Sequence, residues 1–249
     1  MNIRRLFAVW SAHFIKTACR LTGKQGATLA GKAALSIYPP ILSELAKEVK
    51  KDIFVVCGTN GKTTTNNLLA SVLEANGQKV ICNRTGSNML NGVVSAFVLN
   101  TGLSGHLKAD YACIEIDEAS TVRVFPHFQP DFMVLTNLFR DQLDRYGEID
   151  TTMNLLSKAM KMAPNMKLLV NGDDSLSTLL LITKMNMLLT ELANKSYQMK
   201  TAEKYVKADF VKDAVKKCNI TSIITASWET TIALIAGSND LIWILMEQT

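Results

Sequence analysis

Short apolar runs alternate along this chain with longer amphipathic stretches. Ile53-Phe54-Val55-Val56-Cys57 is uninterrupted apolar sequence ahead of a glycine-containing turn, the pattern of a strand buried on both faces. Lys79–Cys82, Tyr111–Ile116, Phe132–Thr136 and Leu168–Val170 repeat that character, and the last ends at Asn171-Gly172-Asp173-Asp174. Between them, Thr63–Asn76 carries Leu68, Leu69, Val72 and Leu73 at helical spacing and stops at Gly77. Helices are also expected over Leu42–Lys50, Asn91–Leu99 and Thr151–Met162. Strands alternating with helices predict an α/β fold, a parallel sheet with helices on both faces. Ligands of such sheets bind at the carboxyl ends of the strands.

The two ends of the chain differ from this middle. Residues 1–50 hold 8 Lys/Arg against 2 Asp/Glu, whereas the rest holds 19 against 20, so the net charge of +5 is local to the N-terminus. A nucleic-acid partner is not expected from one leading basic segment on a near-neutral body. Met1–Leu21 sets Arg4, Arg5, Lys16 and Arg20 around Leu6, Phe7, Val9, Trp10, Phe14 and Ile15, which predicts a basic amphipathic helix. Two uses fit it, contact with an anionic membrane surface or docking on its own domain with a solvated basic face; the second is preferred. A signal peptide and a spanning helix are both rejected, for want of a long uncharged apolar run. A cytoplasmic protein is expected, with at most peripheral contact at the inner face of the cell membrane. Its five cysteines, Cys19, Cys57, Cys82, Cys113 and Cys218, form no Cys-x-x-Cys pair and read as reduced thiols.

The candidate chemistry starts at Gly58-Thr59-Asn60-Gly61-Lys62-Thr63-Thr64-Thr65, between an expected strand and an expected helix. Gly58 and Gly61 allow backbone N–H groups to wrap an anion, Lys62 sets an ammonium on the β/γ-phosphates, and Thr63 offers a hydroxyl to Mg²⁺. The helix N-terminus adds its positive end. Val56 stands where the general P-loop pattern has its first glycine.

The loop resembles the Gly-Thr-Asn-Gly-Lys-Thr-Thr form of the Mur ligase family. Further blocks are similar to one branch of it, the MurT-type subunits of lipid II isoglutaminyl synthase: Asn83–Met89, Glu115-Ile116-Asp117-Glu118-Ala119, Thr136–Glu148 and Asn171–Asp174. The resemblance covers about residues 1–174. It implies an ATP-dependent carbon–nitrogen ligase of peptidoglycan biosynthesis, built on a P-loop central domain. Such a ligase activates the D-glutamate α-carboxyl of lipid II for amidation to D-isoglutamine. The ammonia comes from a GatD-like glutamine amidotransferase partner. By resemblance, Lys62, Glu115, Asn137 and Asp141 are catalytic. Gly58, Thr59, Asn60, Gly61, Lys62, Thr63 and Thr64 hold the nucleotide phosphates, Asn171 meets adenine, and Thr63 with Glu115 holds Mg²⁺. Gln142 stands where related ligases carry a histidine for a second metal. Asn83–Met89 would face the muramyl peptide. An acidic surface turn at 115–118, and a plain Asn-Gly turn at 171, are the structural alternatives.

Three regions are therefore expected: a basic N-terminal helical segment (1–50), an ATP-binding domain (51–174) and an atypical tail (175–249). The tail has one glycine and no proline, against twelve and five before it, and Cys218 is its only cysteine. The branch's four-cysteine zinc ribbon cannot be built from one thiol, so no zinc is expected. A helix is expected over Glu203–Lys217. A shifted reading frame after about 175–190 would explain the change, with the C-terminal ligase domain missing and the chain inactive alone. A non-catalytic nucleotide-binding module and an amino-acid-adding or folylpolyglutamate-synthase-like ligase are the rival functions.

Overall fold

The apolar run Ile53–Cys57 is the central strand, β1, with every residue but Phe54 buried. The computed structural model describes residues 3–21, 26–138, 148–185, 231–236 and 241–246. With β1, strands β2 (Val80–Cys82), β3 (Tyr111–Glu115), β4 (Phe132–Leu135) and β5 (Lys167–Val170) form a parallel sheet in the order β2-β3-β1-β4-β5. Seven α-helices are described: α1 (Ile3–Leu21), α2 (Ala27–Ile37), α3 (Ile41–Ala46), α4 (Lys62–Ala75), α5 (Leu90–Leu99), α6 (Thr121–Val124) and α7 (Glu148–Met162). A further helical stretch runs over 175–185. Parallel strands require crossovers, and these are right-handed. The step from β1 out to β2 therefore puts α4 on one face. The steps back through β3 and on to β4 and β5 put α5, α6 and α7 on the other. The expected α/β architecture is the one observed.

Most element ends match the periodicity. α3 is shorter than the apolar pattern suggests, for a local reason. Val49 bridges to Ala109, and the Lys50 N–H donates to the Ala109 carbonyl at 3.2 Å, so the chain is already extended before it enters β1. In the tail, Glu203–Lys217 lies outside the described residues. Thr231–Ala236 (β6) and Leu241–Met246 (β7) form an antiparallel pair rich in β-branched residues and leucine. The signal for it was the Gly237-Ser238-Asn239-Asp240 punctuation between two apolar runs.

The N-terminal helix docks on the domain, with Arg4, Lys16 and Arg20 exposed as expected. Small residues Ala8, Val9 and Ala12 face inward, and α1 lies against α2 and α5. Arg5 enters with them. Its guanidinium donates to Glu44 at 3.3 Å, to Glu48 at 2.5 Å and to the Gly105 carbonyl at 2.6 Å. α2 in turn crosses α5 closely: a Cβ on Gly31 would sit 1.9 Å from the Asn91 carbonyl oxygen. Outward from α1 point the bulky side chains Ile3, Phe7, Trp10, Phe14 and Leu21 rather than a purely basic face. Four cysteines, Cys19, Cys57, Cys82 and Cys113, are among the described residues, and Cys218 lies outside them. Cys57 and Cys113 are buried, and burial pushes the Cys113 thiol up to about 12 and the half-buried Cys82 thiol to about 11.

Arg5→Ala removes the shared partner of Glu44 and Glu48. It is expected to lower unfolding stability by about 1–3 kcal/mol, since a largely buried charged hydrogen-bond centre is lost. Urea denaturation followed by circular dichroism measures this. An unchanged midpoint would show that the ion-pair cluster does not hold α1.

Candidate functional site

Three neighbouring strands, β3, β1 and β4, end together, and the polar residues at their carboxyl ends converge. After β1 the chain turns through Gly58, whose φ of +124° is open to glycine alone without strain. A Cβ there would lie 2.2 Å from Thr136 Oγ1 and 2.8 Å from the Asn137 carbonyl oxygen, beyond the end of β4. The loop is held on that side. The Thr59 N–H donates to the Asn137 carbonyl at 2.8 Å and the Asn60 N–H to Asn137 Oδ1 at 2.9 Å. Asn137 Nδ2 and Thr136 Oγ1 donate to the Asn60 carbonyl at 3.1 and 2.7 Å. Asn137 is thus a clamp on the loop, and the Thr59 and Asn60 amides serve that clamp.

One oxygen of Glu118 lies inside the loop. Glu118 Oε1 accepts the Gly58 N–H at 2.7 Å and the Lys62 ammonium at 3.2 Å. Both side chains are mostly buried. An amide and an ammonium aimed at one anionic oxygen is the donor set that a phosphate uses. Gly61, at φ +79°, turns the chain into α4, and no side chain caps that helix among the described residues. Its first-turn N–H groups remain for an anion. Thr64 is exposed on that first turn.

Beside the loop stands a second oxygen cluster. Thr63 Oγ1 donates to Glu115 Oε2 at 2.8 Å, and Asn88 Nδ2 donates to Glu115 Oε1 at 3.1 Å. Glu115 is only 2% exposed, and both of these side-chain partners are neutral. A buried carboxylate calls for a cation. A threonine hydroxyl and a carboxylate are hard oxygen donors suited to Mg²⁺, so the residues present fit that ion. Burial and the charge of Glu118 push the Asp117 carboxyl above its usual range, against the pull of Lys62. Asn83 fixes the backbone here. Its Oδ1 accepts the Glu115 N–H at 2.8 Å and its Nδ2 donates to the Glu115 carbonyl at 2.7 Å. It is buried beneath the site instead of facing a substrate.

Other expected residues stand farther out. Asn171 ends β5, two strands from the loop, and its Oδ1 accepts the Asp173 N–H at 3.1 Å, a local Asx turn. Asp174 is buried and ties the chain after β4 to the helical stretch at 175. Its Oδ2 accepts the Leu138 N–H at 2.8 Å and the Ser177 N–H at 3.2 Å. Asp141 and Gln142 lie outside the described residues. Sequence reasoning missed Glu118 as a loop ligand, the Asn83 and Asn88 braces on Glu115, and Thr136. Only the Glu115-Ile116-Asp117-Glu118 spacing hinted at the first, because a turn after a strand can carry its second acid back over the sheet's end.

Residues 56–239 match the family described as Mur ligase middle domain. The chain belongs to the Mur ligase family. Its relatives include the MurT subunits of lipid II isoglutaminyl synthase (glutamine-hydrolyzing) from Staphylococcus aureus (strain COL) and Streptococcus pneumoniae (strain ATCC BAA-255 / R6). Each is 42% identical, over 172 and 179 residues. These alignments cover 69% and 71% of this chain and 38% of each relative, so the chain spans well under half the length of these Mur ligase relatives. Among solved structures, MurF ligase from Thermotoga maritima in complex with ADP superposes with a TM-score of 0.45 at 14% identity, covering 88% of this chain and 44% of that one.

Both loop glycines carry positive φ, but only Gly58 lacks room for a side chain; nothing lies within 4 Å of a Cβ on Gly61. Gly61→Ala is expected to cost about 1 kcal/mol from backbone strain. Gly58→Ala, which collides with Thr136 and Asn137, is expected to cost roughly 2–4 kcal/mol. Thermal melts of the two variants decide, and the reverse order would contradict the loop–β4 contact.

Proposed function

We propose that this chain is the nucleotide-binding part of an ATP-dependent ligase subunit that activates a carboxyl group for amide formation. The supporting observation is the convergence of the Gly58 N–H and Lys62 on one oxygen position, beside the Thr63–Glu115 pair. The 42% identity to MurT subunits supports the finer reading. The acceptor is then the D-glutamate α-carboxyl of lipid II, and ammonia is supplied by a GatD-like amidotransferase subunit.

A carboxylate is a poor electrophile at neutral pH. Its oxygen attacks the γ-phosphorus of ATP, the bond to the β-phosphate oxygen breaks, and ADP leaves with an acyl phosphate remaining. Ammonia then attacks the acyl carbon, inorganic phosphate leaves with the former carboxylate oxygen, and a proton passes to solvent. The chain's residues work by positioning and charge neutralisation. Lys62 and the Gly58 N–H meet the phosphate oxygens. The uncapped start of α4 adds its partial positive charge. Asn137 and Thr136 keep the loop from collapsing into that space. Thr63 and Glu115 would hold Mg²⁺, which when bound draws charge off the phosphate oxygens. Glu118 has to leave the loop for a phosphate to enter, so it opposes nucleotide binding and neutralises Lys62 in its absence. Asn171 stands at the strand end where an adenine contact is proposed, and Asp141 keeps its proposed catalytic role from the motif.

Two substitutions of opposite sign test the reading. Lys62→Ala is expected to weaken ATP·Mg²⁺ binding at least about tenfold. Glu118→Gln is expected to tighten binding of Mg²⁺-free ATP by about threefold to tenfold, by removing a competing negative charge. Isothermal titration measures both, and equal affinity of Lys62→Ala and wild type would discredit the phosphate cradle. ATP turnover with lipid II, glutamine and the amidotransferase subunit supports the ligase reading. Binding without turnover points to a nucleotide-binding module, and turnover with a free amino acid in place of ammonia points to an amino-acid-adding ligase.

A further inference from the structure

Helix α1 presents two faces of opposite design. Arg5, Ala8, Val9 and Ala12 are buried against the domain. Ile3, Phe7, Trp10, Phe14 and Leu21 occupy roughly 60° of the opposite side at 3.6 residues per turn. They are 68%, 55%, 46%, 75% and 84% exposed. Ile3, Phe7, Trp10 and Phe14 make a stripe about 17 Å long at 1.5 Å per residue, with Leu21 two turns farther on beyond Thr17, not scattered surface leucines. It is also held in place. The Trp10 indole N–H donates to the Leu103 carbonyl at 2.9 Å, the Phe7 and Trp10 rings meet edge to face at 5.8 Å, and Leu103 is itself 66% exposed.

The charges around the stripe choose its partner. Arg4 and Arg20 are exposed and flank the stripe, each about 90–110° from its centre, and α1 contains no acidic residue. Pairing the stripe with a second copy of itself would bring basic edges together, which is unfavourable. Aromatic and aliphatic side chains flanked by arginine are the composition of a helix lying in the interface of an anionic bilayer. The apolar row enters the acyl boundary, the cations meet lipid phosphates, and Trp sits at headgroup depth. No described helix is long and apolar enough to cross a membrane, so the contact is one of lying on the surface. We propose that the outward face of α1 docks the protein on an anionic phospholipid surface. The proposal does not rest on nucleotide binding, and the assay below fails separately from it. If the acceptor is lipid-linked, the same contact keeps the chain where its substrate resides.

The probes are phosphatidylglycerol-containing vesicles and pure phosphatidylcholine vesicles, with the whole chain as the binding protein. The expected result is co-sedimentation with the anionic vesicles, at least about tenfold stronger than with the neutral ones and weakened by salt. Phe7→Ser with Phe14→Ser changes only exposed positions. It is expected to lower vesicle binding at least about tenfold with an unchanged circular dichroism spectrum. Bromine-labelled lipid is expected to quench tryptophan fluorescence, and Trp10→Phe to remove that quenching. Three results would overturn the proposal: no binding of the folded wild type to anionic vesicles, equal binding by the double variant, or a concentration-dependent dimer that the double variant abolishes in lipid-free solution.

Discussion

Glu118 Oε1 takes a hydrogen bond from the first amide of the β1 turn and another from the lysine at the start of α4. Two donors converge because β1 is central, with β3 on one side carrying the acids and β4 on the other clamping the loop. Remove the carboxylate and the buried Gly58 amide loses its acceptor, while the Lys62 ammonium keeps the Thr59 carbonyl at 3.4 Å. Fill the same position with a phosphate and the donors are satisfied again, while Glu118 is freed toward solvent. Among the described residues, every other feature of the site either shapes that position or supplies charge beside it.

The support is layered. Asn83 ties the end of β2 to both backbone groups of Glu115, Asn88 and Thr63 take its two carboxylate oxygens, and the helix that Thr63 opens covers β1, β2 and β3. On the other side, Asn137 spends both ends of its amide on Asn60. Asp174 reaches back to Leu138 and so links the turn after β5 to the chain leaving β4. These hydrogen-bonded side chains, the amides Asn83, Asn88 and Asn137 with the buried Asp174, frame the site. The charged groups Lys62, Glu115 and Glu118 sit at its centre, where a change of partner costs least rearrangement.

Much of this was legible from residue order. Fully buried strands are continuous apolar runs, so β1 and its neighbours could be read directly, and glycine at 58 and 61 marked the turn. The flanks Ile114 and Ile116 argue against full exposure of Glu115, and the structure buries it. The part that could not be read depends on contacts distant in the chain. Glu118 meets Gly58 across sixty positions, and Asn137 meets Asn60 across seventy-seven. The resemblance places Asn83 in a block facing the muramyl peptide, and its place as a buried brace depends on Glu115, thirty-two positions away. The N-terminal helix was legible as a docked helix, but which of its residues face inward was not. Its small residues, not its aromatic ones, make the inward face, since close packing against α2 and α5 leaves no room for a phenyl ring.

The most direct measurement is a crystal structure with a non-hydrolysable ATP analogue and Mg²⁺. The account predicts a phosphate oxygen on the Gly58 N–H and Lys62 Nζ, the ion touching Thr63 and Glu115, and Glu118 swung out of the loop. A bound nucleotide elsewhere, with Glu118 still joined to Gly58 and Lys62, would contradict it.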